Sequence, residues 1–358
     1  MAKASTLESD AEARHNLRNK LWEKAIRISQ PDDEPLFTRT PHSSMVATHW
    51  KADDLQSFLS EIGQVLNLAP GGDRRTLRLA NAGLEYGTTP TFWASIQYIN
   101  PGEVATAHRH TPDAFRFVMQ GEGCSSTMDG QRYSFNEGDL VLTPSWMFHD
   151  HVHEGTEPMV WLDVLDVSLM RKLVNVFFDP YEADVQPIDE YPETSLRSFG
   201  SGIMRPVGDP PQMRQNPLLV YSQGQVEQAI ELARGLKPDP CDDVILEYQN
   251  PVNGASALPS MSMKSQLVRA GFEGAFHRHS GSKVYYVISG SGTTIVGDQR
   301  FDWGRGDFFS IPPWATHRHL GAADSDARLF RVDDSPLFRY LNVYREEIIH
   351  EPIDKSRT

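Results

Sequence analysis

The chain has 358 residues, with 34 Lys and Arg against 48 Asp and Glu, and so carries a formal net charge of -14. That length allows two domains with sizeable cores. The acidic balance argues against general nucleic-acid or anionic-membrane binding, and 39% hydrophobic with 23% charged residues is an ordinary globular composition.

Residues 1–72 are expected to be an N-terminal helical segment. Leu17, Leu21, Trp22, Ala25 and Ile26 recur at helical spacing, as do Trp50, Leu55, Phe58, Leu59, Ile62 and Leu66. There is no apolar signal core and no run approaching a membrane span, so the expected compartment is the cytoplasm. A first β-rich domain follows over 73–178. It opens with Arg74, Arg75 and Arg78, for which a solvated strand face is the plain reading. The strand 91–99 puts Trp93, Ser95 and Gln97 on one face and Phe92, Ala94, Ile96 and Tyr98 on the other. One of these faces must be core; the pattern does not say which.

The next stretch organises the domain. His108 and His110 lie two apart on a strand and project the same way. An apolar segment, 115–119, is closed by Gly121-Glu122-Gly123. Turns at Asp129-Gly130 and Glu137-Gly138-Asp139 bracket further strands, and the apolar run 140–142 leads through Pro144 to His149. An antiparallel sheet folded over itself brings His149 back beside the pair. Three imidazoles converging inside a β-barrel suit a divalent first-row metal. The strand 161–166 closes the barrel, and 168–178 has a helical pattern. Residues 179–240 are a linker, rich in Pro, Asp, Glu and Ser, with a short amphipathic helix over 225–236. Cys124 and Cys241 are too few and too far apart for a disulfide framework.

The second half repeats the first. His277-Arg278-His279, Gly290-Ser291-Gly292, Gly306-Asp307, Pro312-Pro313-Trp314 and His317-Arg318-His319 follow in the order of their first-half counterparts. His108 to His149 spans 41 positions and His277 to His317 spans 40. Two copies of one β-rich domain are therefore expected, the second over 241–335, followed by a C-terminal helix and tail over 336–358 with its helix across 337–349.

These repeats resemble cupins, small β-barrels with an HxH in one motif and a third His in a later one. The usual cupin motif adds a Glu four or five residues after the HxH. Ala114 and Phe115 stand there in the first copy, Lys283 and Val284 in the second. The first site would thus be three neutral His, leaving a bound metal its full charge and open positions for a chelating acid and O2. Zn or Mn could use the same ligands. The fuller pattern, from TPTFWASIQYINPGEVATAHRH through GDLVLTPSWMFHDH to WLDVLD, resembles the bicupin ring-cleaving dioxygenases. These comprise the gentisate 1,2-dioxygenases and their salicylate and 1-hydroxy-2-naphthoate relatives.

That resemblance implies a mainly β fold of two tandem cupin (double-stranded β-helix, jelly-roll) barrels with flanking helices. It implies Fe(II) on His108, His110 and His149, Arg116 and His151 as catalytic groups, and a homotetramer. Substrate contacts are implied at Arg74, Arg78, Trp93, Gln97, Arg116, His151 and Asp163, with Arg75 in reserve and Asp166 beside Asp163. The implied reaction adds O2 to a hydroxybenzoate and opens the ring between the carboxyl-bearing and ortho-hydroxyl-bearing carbons. Gentisate giving maleylpyruvate is the first expectation; salicylate, a substituted salicylate or 1-hydroxy-2-naphthoate is the alternative, with Ser95 bearing on the choice. Tyr285 stands where Arg116 would be in the second copy, which points to catalysis in the first. Two readings from other classes are a non-catalytic metal-binding cupin sensing an aromatic acid, and a cupin isomerase, which would more naturally keep the Glu.

Overall fold

The structure, a computed structural model, describes residues 2–28, 37–66, 75–207 and 215–349. Residues 1–42 form a unit of their own, built on the helix Ala2–Trp22. Leu17 and Trp22 on that helix are exposed.

The rest of the chain holds two β-barrels of the same plan, each a six-stranded sheet facing a five-stranded one. In the first barrel the six-stranded sheet runs Val220–Tyr221, Leu140–Thr143, Ala114–Gln120, Met159–Leu165, Trp93–Ile99, Thr76–Arg78. Its partner runs Phe178–Pro180, Val104–His110, His149–His153, Cys124–Met128, Gln131–Phe135. The second barrel repeats this order with Thr48–Trp50, Phe308–Ile311, Lys283–Ser289, Ala327–Asp333, Ser262–Val268 and Val244–Glu247. All pairings in both are antiparallel. The mainly β, double-barrel expectation is what the structure shows.

Each barrel borrows an edge from outside its own repeat. Thr48–Trp50 precedes the first barrel yet pairs with Phe308–Ile311 of the second. Val220–Tyr221 precedes the second barrel yet pairs with Leu140–Thr143 of the first. The helix after each segment is anchored there by its first N–H, while its body packs on the barrel of its own repeat. Ala52 N–H, opening the helix Ala52–Val65, donates to Asp307, and Gln223 N–H, opening Gln223–Ala233, donates to Asp139, both at 2.8 Å. Two Gly-Asp turns thus serve as paired anchors, with Gly138 and Gly306 both at φ 87°, a region that favours glycine. Trp50, grouped by its spacing with a helix, lies in the borrowed strand.

The barrels meet back to back through their six-stranded sheets. Phe115 and Phe117 of the first reach Phe330 of the second, with the Phe117 and Phe330 rings stacked at 4.3 Å. Ala94, Ile96, Leu162, Met263, Val284 and Val332 complete that core. This answers the question left by the strand Trp93–Ile99. Its Ala94 and Ile96 face is the core between barrels, while Ser95 and Gln97 face the barrel interior, and all four are buried.

Two symmetric hydrogen bonds tie the barrels together. Ser260 donates to Asp166 and Thr91 to Asp334, each at 2.6 Å, and burial pushes both carboxyls up to about 7. A carboxyl whose pKa is raised by folding stabilises the fold fully below its unfolded pKa of about 4; that contribution is lost as pH rises through about 7. Asp334→Asn can keep both contacts, its amide donating to Thr91 and its carbonyl accepting the Ser282 N–H now 2.7 Å from the carboxylate. The variant should therefore gain on the wild type as pH rises from about 4 to about 7, by on the order of a few kcal/mol. Thermal melts across that range read the gap directly; a gap independent of pH would show that this carboxyl does not titrate there.

Two predicted helices are shorter than their sequence patterns. The helical pattern over 168–178 becomes the helix Val167–Lys172, and Phe178–Pro180 is a strand on the His108 strand. The tail likewise is the helix Ser335–Tyr340 followed by the strand Glu346–Ile348, paired with His277–His279. Among the described residues, no helix is long and apolar enough to cross a membrane.

Candidate metal centre and active site

A tight turn positions the third histidine. Trp146 adopts a left-handed backbone, φ 65°, and its N–H donates to the His110 carbonyl at 2.8 Å. The adjacent Ser145 N–H donates to Asp113 at 2.8 Å. The turn is thereby clamped to the end of the HxH strand, and His149 pairs directly across from His108. Each ring is steadied through Nδ1 on a main-chain carbonyl: His108 on Thr106 at 2.7 Å, His110 on Pro112 at 2.8 Å, His149 on Met147 at 3.0 Å. An Nδ1–H donated in this way leaves the Nε2 lone pair for a metal.

The three rings offer ligand atoms that all lie within 4.8 Å of one another. His149 is fully buried, and its Nε2 has no hydrogen-bond partner. Burial, and then the His110 and Arg116 side chains, push its pKa well below the usual value, so the ring is neutral and ready to ligate. The donor set fits a divalent first-row ion. Phe178, on the edge strand Phe178–Pro180, stacks on His108 at 5.0 Å. Arg109 pairs with Asp179 beside it at 2.7 Å. Neither Phe178 nor Asp179 stood out in the sequence; a signal for Asp179 was available in the repeat, since Glu347 pairs with Arg278 on the matching strand of the second barrel.

The wall facing this centre is polar and tightly registered. Arg116, Asp163, Ser95 and Arg78 are consecutive partners across four strands, and therefore share one row of the interior face. The next row holds Val118, Trp161 and Gln97. Arg116 is 1% exposed, donates to Thr143 Oγ1 at 2.6 Å, and lies 3.6 Å from Asp163. Burial draws its pKa down, and Asp163 offsets part of that effect. Arg116 Nε, Asp163 Oδ1, and both amide atoms of Gln97 are buried without hydrogen-bond partners. Several unmet polar atoms on one wall are costly unless a ligand meets them.

The remaining expected residues divide. His151 is fully buried, its ring 5.9 Å from His149 and 5.5 Å from Trp161. Trp93 meets Tyr86 edge-on at 4.2 Å and lies under the Arg78 guanidinium at 5.0 Å. Arg75 is on the opposite face of its strand, paired with Glu103 and over Tyr98. Asp166 is engaged with Ser260 between the barrels, away from this wall. Arg74 lies outside the described residues.

Barrel plan and histidine triads together define a double cupin. The cupin domain model matches residues 95–165 and again 265–333. The chain is 35% identical over 309 residues to 5-aminosalicylate 1,2-dioxygenase of Comamonas sp, covering 85% of this chain and 82% of that one. It is 35% identical to gentisate 1,2-dioxygenase of Streptomyces sp, with 87% and 88% coverage. The structure of salicylate 1,2-dioxygenase from Pseudoaminobacter salicylatoxidans with gentisate superposes with a TM-score of 0.86 at 29% identity, covering 95% of this chain and 94% of that one. The chain belongs to the bicupin ring-cleaving 1,2-dioxygenases, enzymes of the gentisate and salicylate type.

Proposed function

We propose that the first barrel is the active site and that it uses Fe(II) on His108, His110 and His149 to open the ring of a hydroxybenzoate, gentisate first, giving maleylpyruvate. The observation that carries this reading is the wall of buried polar side chains, Arg116, Asp163 and Gln97, opposite a three-histidine centre. Fe(II) there supplies redox chemistry between an electron-rich ring and O2.

The chain's own residues do the rest. Arg116, with Thr143 on Nη1 and Asp163 beside Nε, receives the acid's carboxylate on the guanidinium. Gln97 offers a donor and an acceptor to the hydroxyl or to O2. His151 is placed to move a proton at the phenolic oxygen. Trp93 and Arg78 form the wall above the ring. The buried polar pair Ser95 and Asp163 favours a second polar ring substituent, which gentisate has and 1-hydroxy-2-naphthoate lacks. Asp163 would serve a 5-amino group equally well, so 5-aminosalicylate is the second reading. Assembly as a homotetramer in the cytoplasm belongs to the same proposal.

Oxygen uptake by anaerobically purified, Fe(II)-loaded protein tests it, with gentisate, 5-aminosalicylate, salicylate and 1-hydroxy-2-naphthoate offered in parallel. Uptake with gentisate or 5-aminosalicylate at the highest kcat/KM is expected. Preference for the naphthoate would overturn the polar-substituent argument. No uptake with any acid would point to the sensing role.

A further inference from the structure

The second barrel carries its own histidine cluster. His277, His279 and His317 place ligand atoms within 4.8 Å of one another, and all three rings are almost fully buried. Their Nδ1 atoms rest on the carbonyls of Ala275, Ser280 and Ala315, at 3.2, 3.0 and 2.8 Å. Their Nε2 atoms have no hydrogen-bond partner. The Trp314 turn repeats the clamp of the first barrel, its N–H donating to the His279 carbonyl at 2.9 Å. Three buried lone pairs turned toward one another repel unless a cation lies between them.

The surroundings differ from those of the first centre. Tyr285 stands at the place of Arg116, stacked on Phe309 at 4.5 Å, with its hydroxyl 3.3 Å from His319 Nε2. His319 Nδ1 in turn meets Thr294 at 2.8 Å. Arg331, at the place of Asp163, is spent on Asp242 and Asp333, both at 2.8 Å. Gln266, at the place of Gln97, donates to the Asp242 carbonyl at 2.8 Å. Lys283 is buried where a cupin carboxylate would lie; burial and then Arg331 draw its pKa down to about 7, and Asp242 and Asp333 offset part of that. Among the described residues of this wall the one arginine, Arg331, is held by two carboxylates and Tyr285 by His319, while Gln266 keeps only its Oε1 without a partner.

We infer that the second barrel binds a divalent first-row metal of its own on His277, His279 and His317, as a structural centre closed to the aromatic acid. The inference stands apart from the choice of substrate and from catalysis in the first barrel. Its purpose is mechanical: an ion tying the His277 strand to the His317 strand holds together a five-stranded sheet in which those two strands share a single paired position.

Co(II) is a suitable probe, because its visible bands report its ligands. Full-length protein, stripped with chelator and reloaded anaerobically, should hold two Co(II) per chain. His317→Ala and His149→Ala should each hold one. Adding gentisate or salicylate should shift the bands of His317→Ala, which keeps the first centre. The bands of His149→Ala should not move, while Co(II) should still raise its melting temperature by several degrees. Should His317→Ala fail to fold, His279→Gln replaces it with the same expectation. One Co(II) per wild-type chain, or an unchanged count in the second-barrel variant, would overturn the site. A band shift in His149→Ala on adding acid would overturn its closure, and an unmoved melting temperature its structural role.

Discussion

Replacing His149 by alanine is expected to abolish ring opening, a loss of about 10³-fold or more, since a metal ion supplies several kcal/mol in such reactions. His149 is the ligand with least freedom to be replaced. It is fully buried, its Nε2 is unpartnered, and the Trp146 turn clamps it against the HxH strand. Among the described residues no carboxylate joins the triad, and Ala114 and Phe115 occupy the positions where cupins carry one. The measurement is iron content with turnover. One equivalent of iron should be lost together with activity, and the second barrel should be untouched. Full turnover in this variant would remove the first barrel from the chemistry.

Arg116→Ala is expected to leave the iron in place and to lower kcat/KM by roughly 30- to 3,000-fold, the equivalent of about 2–5 kcal/mol for truncating one partner of a buried charge pair. Most of the loss should appear in KM. Part of it comes from Asp163, 3.6 Å away, which the truncation leaves as an unpaired buried carboxylate facing an anionic substrate. Arg116→Lys should recover little, because an ammonium cannot donate to Thr143 and to a carboxylate in the same fork geometry. Pairing Arg116→Ala with Asp163→Asn separates the two effects: recovery of substrate affinity in the double variant would show that repulsion dominated. An unchanged KM in Arg116→Ala would take this residue out of the carboxylate role.

Much of this was legible in the residues. The HxH pair and a third His at matching distances in two repeats point to two copies of one β-rich domain, each with a triad, and the resemblance to cupins supplied the barrel. The Trp146 and Trp314 turns that complete the triads are visible as paired Pro-containing motifs. What was hidden depends on pairing across long separations. Nothing local tells that Thr48–Trp50 belongs to the second barrel, or that Phe178 leaves a helical pattern to join the His108 strand. The two faces of Trp93–Ile99 could not be ranked because both are buried, one against the other barrel and one against the site. Of the arginines before it, Arg75 turns to Glu103 and Arg78 to Trp93, a distinction set by strand register and not by composition.

The most direct test of catalysis in the first barrel is the fate of isotopically labelled O2. Fe(II)-loaded protein with gentisate should yield a ring-opened acid in which both oxygen atoms of one O2 molecule are retained, and His317→Ala should do the same. Product carrying label from His149→Ala, or ring opening without label, would contradict the account.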